Sequence, residues 1–146
     1  IGDGSSYNYL KEVTRQLKLE KQVNFLGNRD IEWIYHHLCD YHLLVQPSIS
    51  EGFGLTIAEG MAAGVPVLVS DLPALLELTD THGYYFKHND ADALAQMLHH
   101  IIDHYEEALL FADKARQYVT ANFDSNSIVK QYISLYNECI HKKHIK

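Results

Sequence analysis

Two carboxylates, Glu51 and Glu59, flank a glycine-containing loop and are the residues in this chain whose types and spacing best suit chemistry. Gly52 and Gly54 lie between them, and glycine allows the backbone to approach a ligand closely or to adopt positive φ. If a helix begins directly after this loop, its first N–H groups have no partner within the helix and its dipole favours an anion. The pattern therefore indicates a phosphate site whose donors would be the amides of Phe53, Gly54 and Leu55.

A carboxylate repels a phosphate, so the two glutamates need a separate interpretation. Glu51 precedes the loop and Glu59 lies about one turn into the predicted helix, so they flank the anion position. Both side chains are suited to accept hydrogen bonds from neutral sugar hydroxyls, which predicts a phosphorylated, hydroxyl-rich ligand. Two alternatives stay open: a general acid and base pair, or two solvated side chains beside an ordinary glycine turn.

The elements around the loop alternate between strands and helices. An apolar strand at Leu43–Val45 precedes the loop, a helix follows from Leu55 to Ala63, and Gly64 ends it before a strand at Val65–Val69. Such alternation predicts an α/β fold, a Rossmann-like three-layer α/β/α arrangement with a parallel sheet covered on both faces. The other predicted strands are Val23–Gly27 and Tyr84–Phe86, and the other predicted helices include ones capped by Asp30 and Asp90.

In a parallel sheet, ligands bind beyond the carboxyl ends of the strands. Four polar or glycine-containing loops follow predicted strands in this chain, and we expect them to line one crevice. They are residues 2–4, 27–29, 47–54 and 70–71. We interpret Asp71 as a helix cap ahead of Pro73.

The composition excludes some classes of protein and partner. With 19 acidic against 12 basic residues, the net charge of −7 argues against nucleic-acid binding. Cys39 and Cys139 fit no metal or redox spacing, and we expect buried free thiols in a reducing compartment. The sequence has neither a signal peptide nor a long apolar run, which favours the cytoplasm. The abrupt start at Ile1 predicts a single domain, residues 1–146, excised from a longer protein and closed by helices over about 106–140.

The chain has ten histidines, and histidine is a common metal ligand. Among them, His100 and His104 have the spacing to share a helix face. No third ligand follows in a known pattern, so we interpret them as solvated. Lys142, Lys143 and Lys146 form a basic tail, which is too short to argue for membrane binding by itself.

The run from Pro47 to Val67 contains E-x7-E within P-S-x-x-E-G-F-G-L-x-x-x-E-x-M-A-x-G-x-P-V. It resembles the C-terminal, nucleotide-sugar-binding domain of retaining GT-B glycosyltransferases of family four. Ile1–Gly4 is similar to the G-x-G strand end of that family, and Val23–Gly27 is similar to its V-x-F-L-G strand. The resemblance extends over nearly the whole chain and implies the C-terminal half of a GT-B fold.

The resemblance also implies a role for each matching residue. Glu59 would bind the ribose, and Glu51, our catalytic candidate, would bind hydroxyls of the donor sugar. The loop amides would hold the diphosphate and sugar without a metal or another cofactor, and the loop after Leu26 would border the base. The implied substrate-binding residues are Gly2, Gly4, Asn28, Arg29, Glu51, Gly52, Phe53, Gly54, Leu55 and Glu59.

The implied reaction transfers a hexose from a nucleotide-sugar to a sugar or lipid-linked acceptor with retention of configuration. The phosphate-binding Arg and Lys of the family, its acceptor site and its N-terminal domain would all precede Ile1. We therefore expect this fragment to be inactive alone, and the whole enzyme to work in the cytoplasm or peripherally at the inner membrane surface. The alternative is a GT-B-fold nucleotide-sugar epimerase or a non-catalytic nucleotide-binding module. Gly60 replaces the usual Ala of the family, and we expect little effect from this change.

Overall fold

The computed structural model describes residues 1–143, with the side chains of Lys142 and Lys143 excepted. The predicted basic tail therefore lies outside the described residues. The chain divides into two compact units, Ile1–His37 and Leu38–Lys146. Whether the two form the single nucleotide-sugar-binding domain expected from the sequence stays a prediction.

The first unit contains two helices, α1 (Tyr7–Gln16) and α2 (Ile31–His37). The carbonyl of Gly4 accepts the Tyr7 N–H at 2.9 Å where α1 begins. The Asp30 carboxylate accepts the Trp33 N–H at 2.7 Å, which satisfies one of the orphan donors at the start of α2. The predicted capping role of Asp30 is therefore confirmed.

The predicted strand Val23–Gly27 is wrong, because this segment belongs to no sheet in the described chain. One backbone hydrogen bond reaches it from the N-terminal segment, from the Gly2 N–H to the Gly27 carbonyl at 2.7 Å. A β-ladder needs a series of such bonds, and among the described residues a single one joins these two segments. The apolar pattern predicted an extended segment but could not supply its partner.

The second unit begins with a 3-10 turn (Leu38–Asp40) and then alternates strands with helices. The strands are β1 (Leu44–Gln46), β2 (Val67–Ser70) and β3 (Tyr84–Phe86). The helices are α3 (Leu55–Ala62), α4 (Pro73–Thr79), α5 (Ala91–Asp103), α6 (Tyr105–Phe123) and α7 (Ser125–Lys143). Asp90 caps α5 as predicted, its carboxylate accepting the Ala93 N–H at 2.9 Å.

The sheet is parallel and ordered β1-β2-β3, so β2 is the central strand. Successive side chains of β2 point to opposite faces. Val67 and Val69 belong to one buried cluster, which includes Ile57 of α3, and Leu68 belongs to another, which includes Ile101 of α5. Helices thus cover both faces of the sheet, and the predicted three-layer α/β/α fold is confirmed.

The two cysteines are exposed, so the prediction of buried thiols is wrong. Cys39 lies in the 3-10 turn, where Leu38 takes the buried position instead. Cys139 lies on α7, where every residue from 129 to 141 is exposed. No helix among the described residues combines the length and the apolar character needed to cross a membrane.

Candidate functional site

The loop between β1 and α3 (residues 47–54) leaves the carboxyl edge of the sheet and turns into α3 at Gly54. Gly54 is buried and has φ of +94°, a left-handed conformation that side chains disfavour. A Cβ at this position would lie 2.7 Å from Leu75 Cδ2 and 3.2 Å from Leu78 Cδ2. Both the backbone conformation and the packing against α4 therefore require glycine here.

The start of α3 presents unpartnered N–H groups. The Gly54 carbonyl accepts the first helical bonds, from the Ile57 N–H at 2.9 Å and the Ala58 N–H at 3.1 Å. Within the described chain, no acceptor lies in hydrogen-bond range of the N–H groups of Phe53, Gly54 and Leu55. These donors and the helix dipole together suit an anion.

Glu51 is held at both carboxylate oxygens. The Gln46 Nε2 amide donates to Glu51 Oε2 at 2.6 Å, and the Gly52 N–H donates to Glu51 Oε1 at 3.0 Å. The Gly52 amide thus meets a carboxylate of its own loop, unlike the three amides that follow it. Each carboxylate oxygen has two lone pairs, so Glu51 keeps acceptor capacity for a ligand.

Glu59 is the fifth residue of α3 and is partly exposed. It lies one turn after Leu55, about 6 Å along the helix axis. Its side chain forms no hydrogen bond with any residue that the structure describes. The two glutamates therefore differ, since Glu51 is oriented by two donors and Glu59 is unpartnered.

The end of β2 fixes the loop to the sheet. Ser70 is fully buried, and its hydroxyl lies 2.6 Å from the Ser48 carbonyl and 3.4 Å from the Gln46 carbonyl. The Phe53 ring lies 5.9 Å from the Phe123 ring at the end of α6. The loop is thus linked to the sheet at Ser70 and to α6 at Phe123, and the predicted loops at 47–54 and 70–71 do lie side by side.

Asp71 does not cap α4, so that prediction is wrong. The N-cap of α4 is Leu72, which has no side-chain cap. The Asp71 carboxylate instead accepts hydrogen bonds from the backbone N–H and the Nδ1 of His88, each at 2.7 Å. The backbone donor, followed by the imidazole, lowers the pKa of Asp71. The carboxylate therefore joins the loops after β2 and β3 rather than starting a helix.

The other predicted binding residues belong to the first unit. Gly2 has φ of +122° and Gly4 is exposed. Asn28 and Arg29 are exposed as well, and the Arg29 guanidinium donates to the Asn28 carbonyl at 3.2 Å. The same guanidinium lies over the Trp33 ring, 5.4 Å from its centroid, a cation–π contact.

Within residues 1–143, no cluster of three or more His, Cys, Asp or Glu side chains is arranged to bind a metal ion. His100 and His104 have ring centroids 4.6 Å apart, and the His104 Nδ1 pairs with the His100 carbonyl at 2.9 Å. His104 lies just after the last residue of α5, and one of its ring nitrogens is thus already engaged by that helix.

Sequence reasoning missed Gln46 and Ser70, the residues that hold the loop. Gln46 had one available signal, since it is a polar residue at the end of an otherwise apolar strand and lies five positions before Glu51. Ser70 had none, because the separation of 22 residues from Ser48 becomes a contact only through strand pairing.

Comparison with known proteins identifies the family of this chain. The family model for glycosyl transferases group 1 matches residues 1–118. N-acetyl-alpha-D-glucosaminyl L-malate synthase of Bacillus anthracis is 30% identical over 96% of this chain and 37% of its own length. The O-antigen biosynthesis glycosyltransferase WclY of Escherichia coli is 28% identical over 93% of this chain and 37% of its own length. The chain thus spans about a third of the length of these relatives.

Solved structures give the same result. Sucrose-phosphate synthase of Thermosynechococcus elongatus superposes with a TM-score of 0.85 at 27% identity, covering 95% of this chain and 35% of that one. Anabaena HepE in complex with UDP and glucose superposes with a TM-score of 0.83 at 26% identity, covering 94% and 39%. The loop with unpartnered amides, the three-layer fold and the family match agree: this chain belongs to the glycosyl transferases group 1 family and has the fold of the C-terminal half of a GT-B glycosyltransferase.

Proposed function

We propose that this chain is the donor-binding part of a retaining glycosyltransferase that moves a hexose from a nucleotide-sugar to an acceptor. The observation that carries the proposal is the run of unpartnered amides at Phe53, Gly54 and Leu55, with an oriented carboxylate before it and an unpartnered one after it. Family membership supports the same reaction class. The complexes of HepE with UDP and with UDP-glucose support a nucleotide-sugar as the donor.

In this proposal the amides at the start of α3 bind the diphosphate. Negative charge grows on the diphosphate as the bond to the sugar breaks, and fixed N–H donors stabilise that charge without reorganising. Gly54, which has a left-handed backbone and leaves room for Leu75 and Leu78, keeps these donors in place. In this proposal, this part of the chain stabilises the leaving diphosphate without binding a metal ion.

The two carboxylates divide the hydroxyl groups of the donor between them. Glu59 accepts hydrogen bonds from the ribose, for which an unpartnered side chain one turn into α3 is suited. Glu51 accepts hydrogen bonds from the transferred hexose, and its two protein donors hold it in one orientation. Displacement takes place on one face of the sugar, so no side chain here acts as a covalent nucleophile.

We further propose that Gly2, Gly4, Asn28 and Arg29 contact the nucleotide. The acceptor, a sugar or a lipid-linked sugar, binds to residues outside this chain, so residues 1–146 alone do not transfer sugar. Nucleic acid is not a partner. The complete enzyme works in the cytoplasm, with peripheral association at the inner membrane surface when its acceptor is lipid-linked.

Calorimetric titration of this chain with UDP, GDP, ADP and pyrophosphate tests the donor assignment. We expect one nucleoside diphosphate to bind, and Glu59→Gln to weaken it about tenfold, which corresponds to roughly 1.4 kcal/mol. Pyrophosphate has no ribose, so Glu59→Gln should leave its affinity unchanged.

Glu106 is an exposed glutamate in the first turn of α6, and Glu106→Gln is the matched control for the loss of one negative charge. Failure of all three nucleotides to bind would overturn the proposal, as would equal losses for the two variants. Sugar transfer by the isolated chain would overturn the proposal that it is inactive alone.

A further inference from the structure

Gln46 is the last residue of β1 and lies where the strand meets the loop. Its side-chain amide donates to Glu51 Oε2 at 2.6 Å. Its backbone pairs in the sheet opposite Val69, and its carbonyl is 3.4 Å from the Ser70 hydroxyl. The donor is therefore anchored in the rigid part of the fold, whereas Glu51 lies on a loop.

The two hydrogen bonds on Glu51 restrict it more than either would alone. Gln46 holds Oε2 and the Gly52 N–H holds Oε1, so rotation of the carboxylate breaks at least one bond. The side chain is thus ordered before any ligand arrives, which lowers the entropic cost of binding.

The donors on Glu51 are neutral. Among the described residues, no Lys, Arg or His lies within ion-pair distance of its carboxylate. A cation at that place would compete with the ligand hydroxyls for the carboxylate oxygens, whereas a neutral amide orients the carboxylate with a single, weaker hydrogen bond. Neutral orientation suits a group that must accept hydrogen bonds from sugar hydroxyls.

We propose that Gln46 is a positioning residue for Glu51 and thereby favours a hexose-bearing donor over the bare nucleoside diphosphate. This inference rests on the proposed function of Glu51. In this proposal Gln46 acts through the Glu51 carboxylate, to which its Nε2 donates, and not by binding the sugar or the diphosphate.

The test measures affinities for two pairs of ligands, UDP with UDP-glucose and GDP with GDP-mannose, in the wild-type chain and in Gln46→Leu. Leucine has a similar volume but no donor. In Gln46→Leu, we expect the affinity for the nucleotide-sugar (UDP-glucose or GDP-mannose) to fall about tenfold. The affinity for the matching nucleoside diphosphate should change less than twofold. In a Glu51→Gln background, Gln46→Leu should cause no further loss, because it acts through Glu51.

Gln117→Leu is the matched control, since Gln117 on α6 makes a similar amide-to-carboxylate bond with Asp113 at 2.8 Å. It should change neither affinity. Equal losses of affinity for the nucleotide-sugar and the nucleoside diphosphate in Gln46→Leu would overturn the positioning role. Additive losses of affinity in the double variant with Glu51→Gln would overturn it too.

A second measurement keeps the inference independent of ligand binding. The amide proton of Gly52 reports on Glu51, because its hydrogen bond ends on that carboxylate. In Gln46→Leu we expect this proton to shift upfield in the NMR spectrum, as Glu51 leaves its fixed orientation. If the wild-type chain binds none of the ligands, the proposed function fails and this signal still decides the positioning role. An unchanged Gly52 signal would contradict it.

Discussion

One carboxylate oxygen of Asp71 lies 2.7 Å from both the backbone N–H and the Nδ1 of His88. Asp71 directly follows β2, and His88 comes two residues after β3, so this contact joins the carboxyl ends of two neighbouring strands. The hydrogen bond from the His88 backbone is the largest cause of the lowered pKa of Asp71, and the imidazole is the next.

This contact predicts acid sensitivity. The pKa of Asp71 is lowered from 3.8 in the folded chain, so the charged carboxylate stabilises the fold above that pH. The stabilisation is lost as the pH falls through the folded pKa. In urea titrations, the difference in unfolding free energy between wild type and Asp71→Asn should be constant above about pH 5 and shrink below 3.8.

His88→Ala separates the two donors, because it removes the imidazole and keeps the backbone N–H. Because the backbone donor remains, this variant should retain part of the acid sensitivity that Asp71→Asn removes. If the stabilities of His88→Ala and Asp71→Asn respond to pH in the same way, the imidazole is the main cause of the lowered pKa of Asp71. The ranking of the backbone donor above the imidazole would then be wrong.

Gly54 and Gly52 offer a matched pair in one loop. Gly54→Ala places a methyl group 2.7 Å from Leu75 Cδ2 in a left-handed backbone, so it should destabilise the chain by about 1–3 kcal/mol. A Cβ at Gly52 meets nothing within 4 Å, and Gly52→Ala should change stability by less than about 0.5 kcal/mol. Urea denaturation measures both, and equal effects would refute the packing argument.

Gly60 is linked by packing to Leu44. A Cβ on Gly60 would lie 2.5 Å from Leu44 Cδ2 and 3.2 Å from Val67 Cγ1, so the replacement of the usual Ala by Gly is not as neutral as the sequence indicated. We expect Gly60→Ala to destabilise the wild-type chain. In a Leu44→Ala background the same change should stabilise by up to about 1 kcal/mol, the gain in helix propensity.

A double-mutant cycle of urea denaturation measures this coupling. Additive free energies would show that Leu44 moves away at no cost and would contradict the expected clash.

The exposed thiols give a rapid chemical test. Because Cys39 and Cys139 are both exposed, both should react with a thiol reagent such as DTNB in the native chain. Cys39→Ser and Cys139→Ser should each halve the signal. Reaction of either thiol only after denaturant is added would show that it is buried in solution.

The amino-acid sequence alone determined the elements of the second unit and the loop that defines its site. The apolar run at β1, the glycine at the end of α3 and the cap at Asp90 each depend on neighbours within a few residues, so local pattern was sufficient. The strand β3 was predicted with the bounds that the structure has, Tyr84–Phe86. The E-x7-E run likewise identified the family before any contact was known.

Tertiary structure decided which groups are partners. The strand predicted at Val23–Gly27 failed because a ladder needs a second segment that local pattern does not specify. Aspartate is a residue type that often caps a helix, which is why a cap was predicted at Asp71. Strand pairing instead brings His88, 17 residues away, to its carboxylate. Gln46 reaches Glu51 because β1 ends where the loop turns back. Sequence determines which groups are present and their local conformation, whereas hydrogen-bond partners are set by register and packing between distant segments.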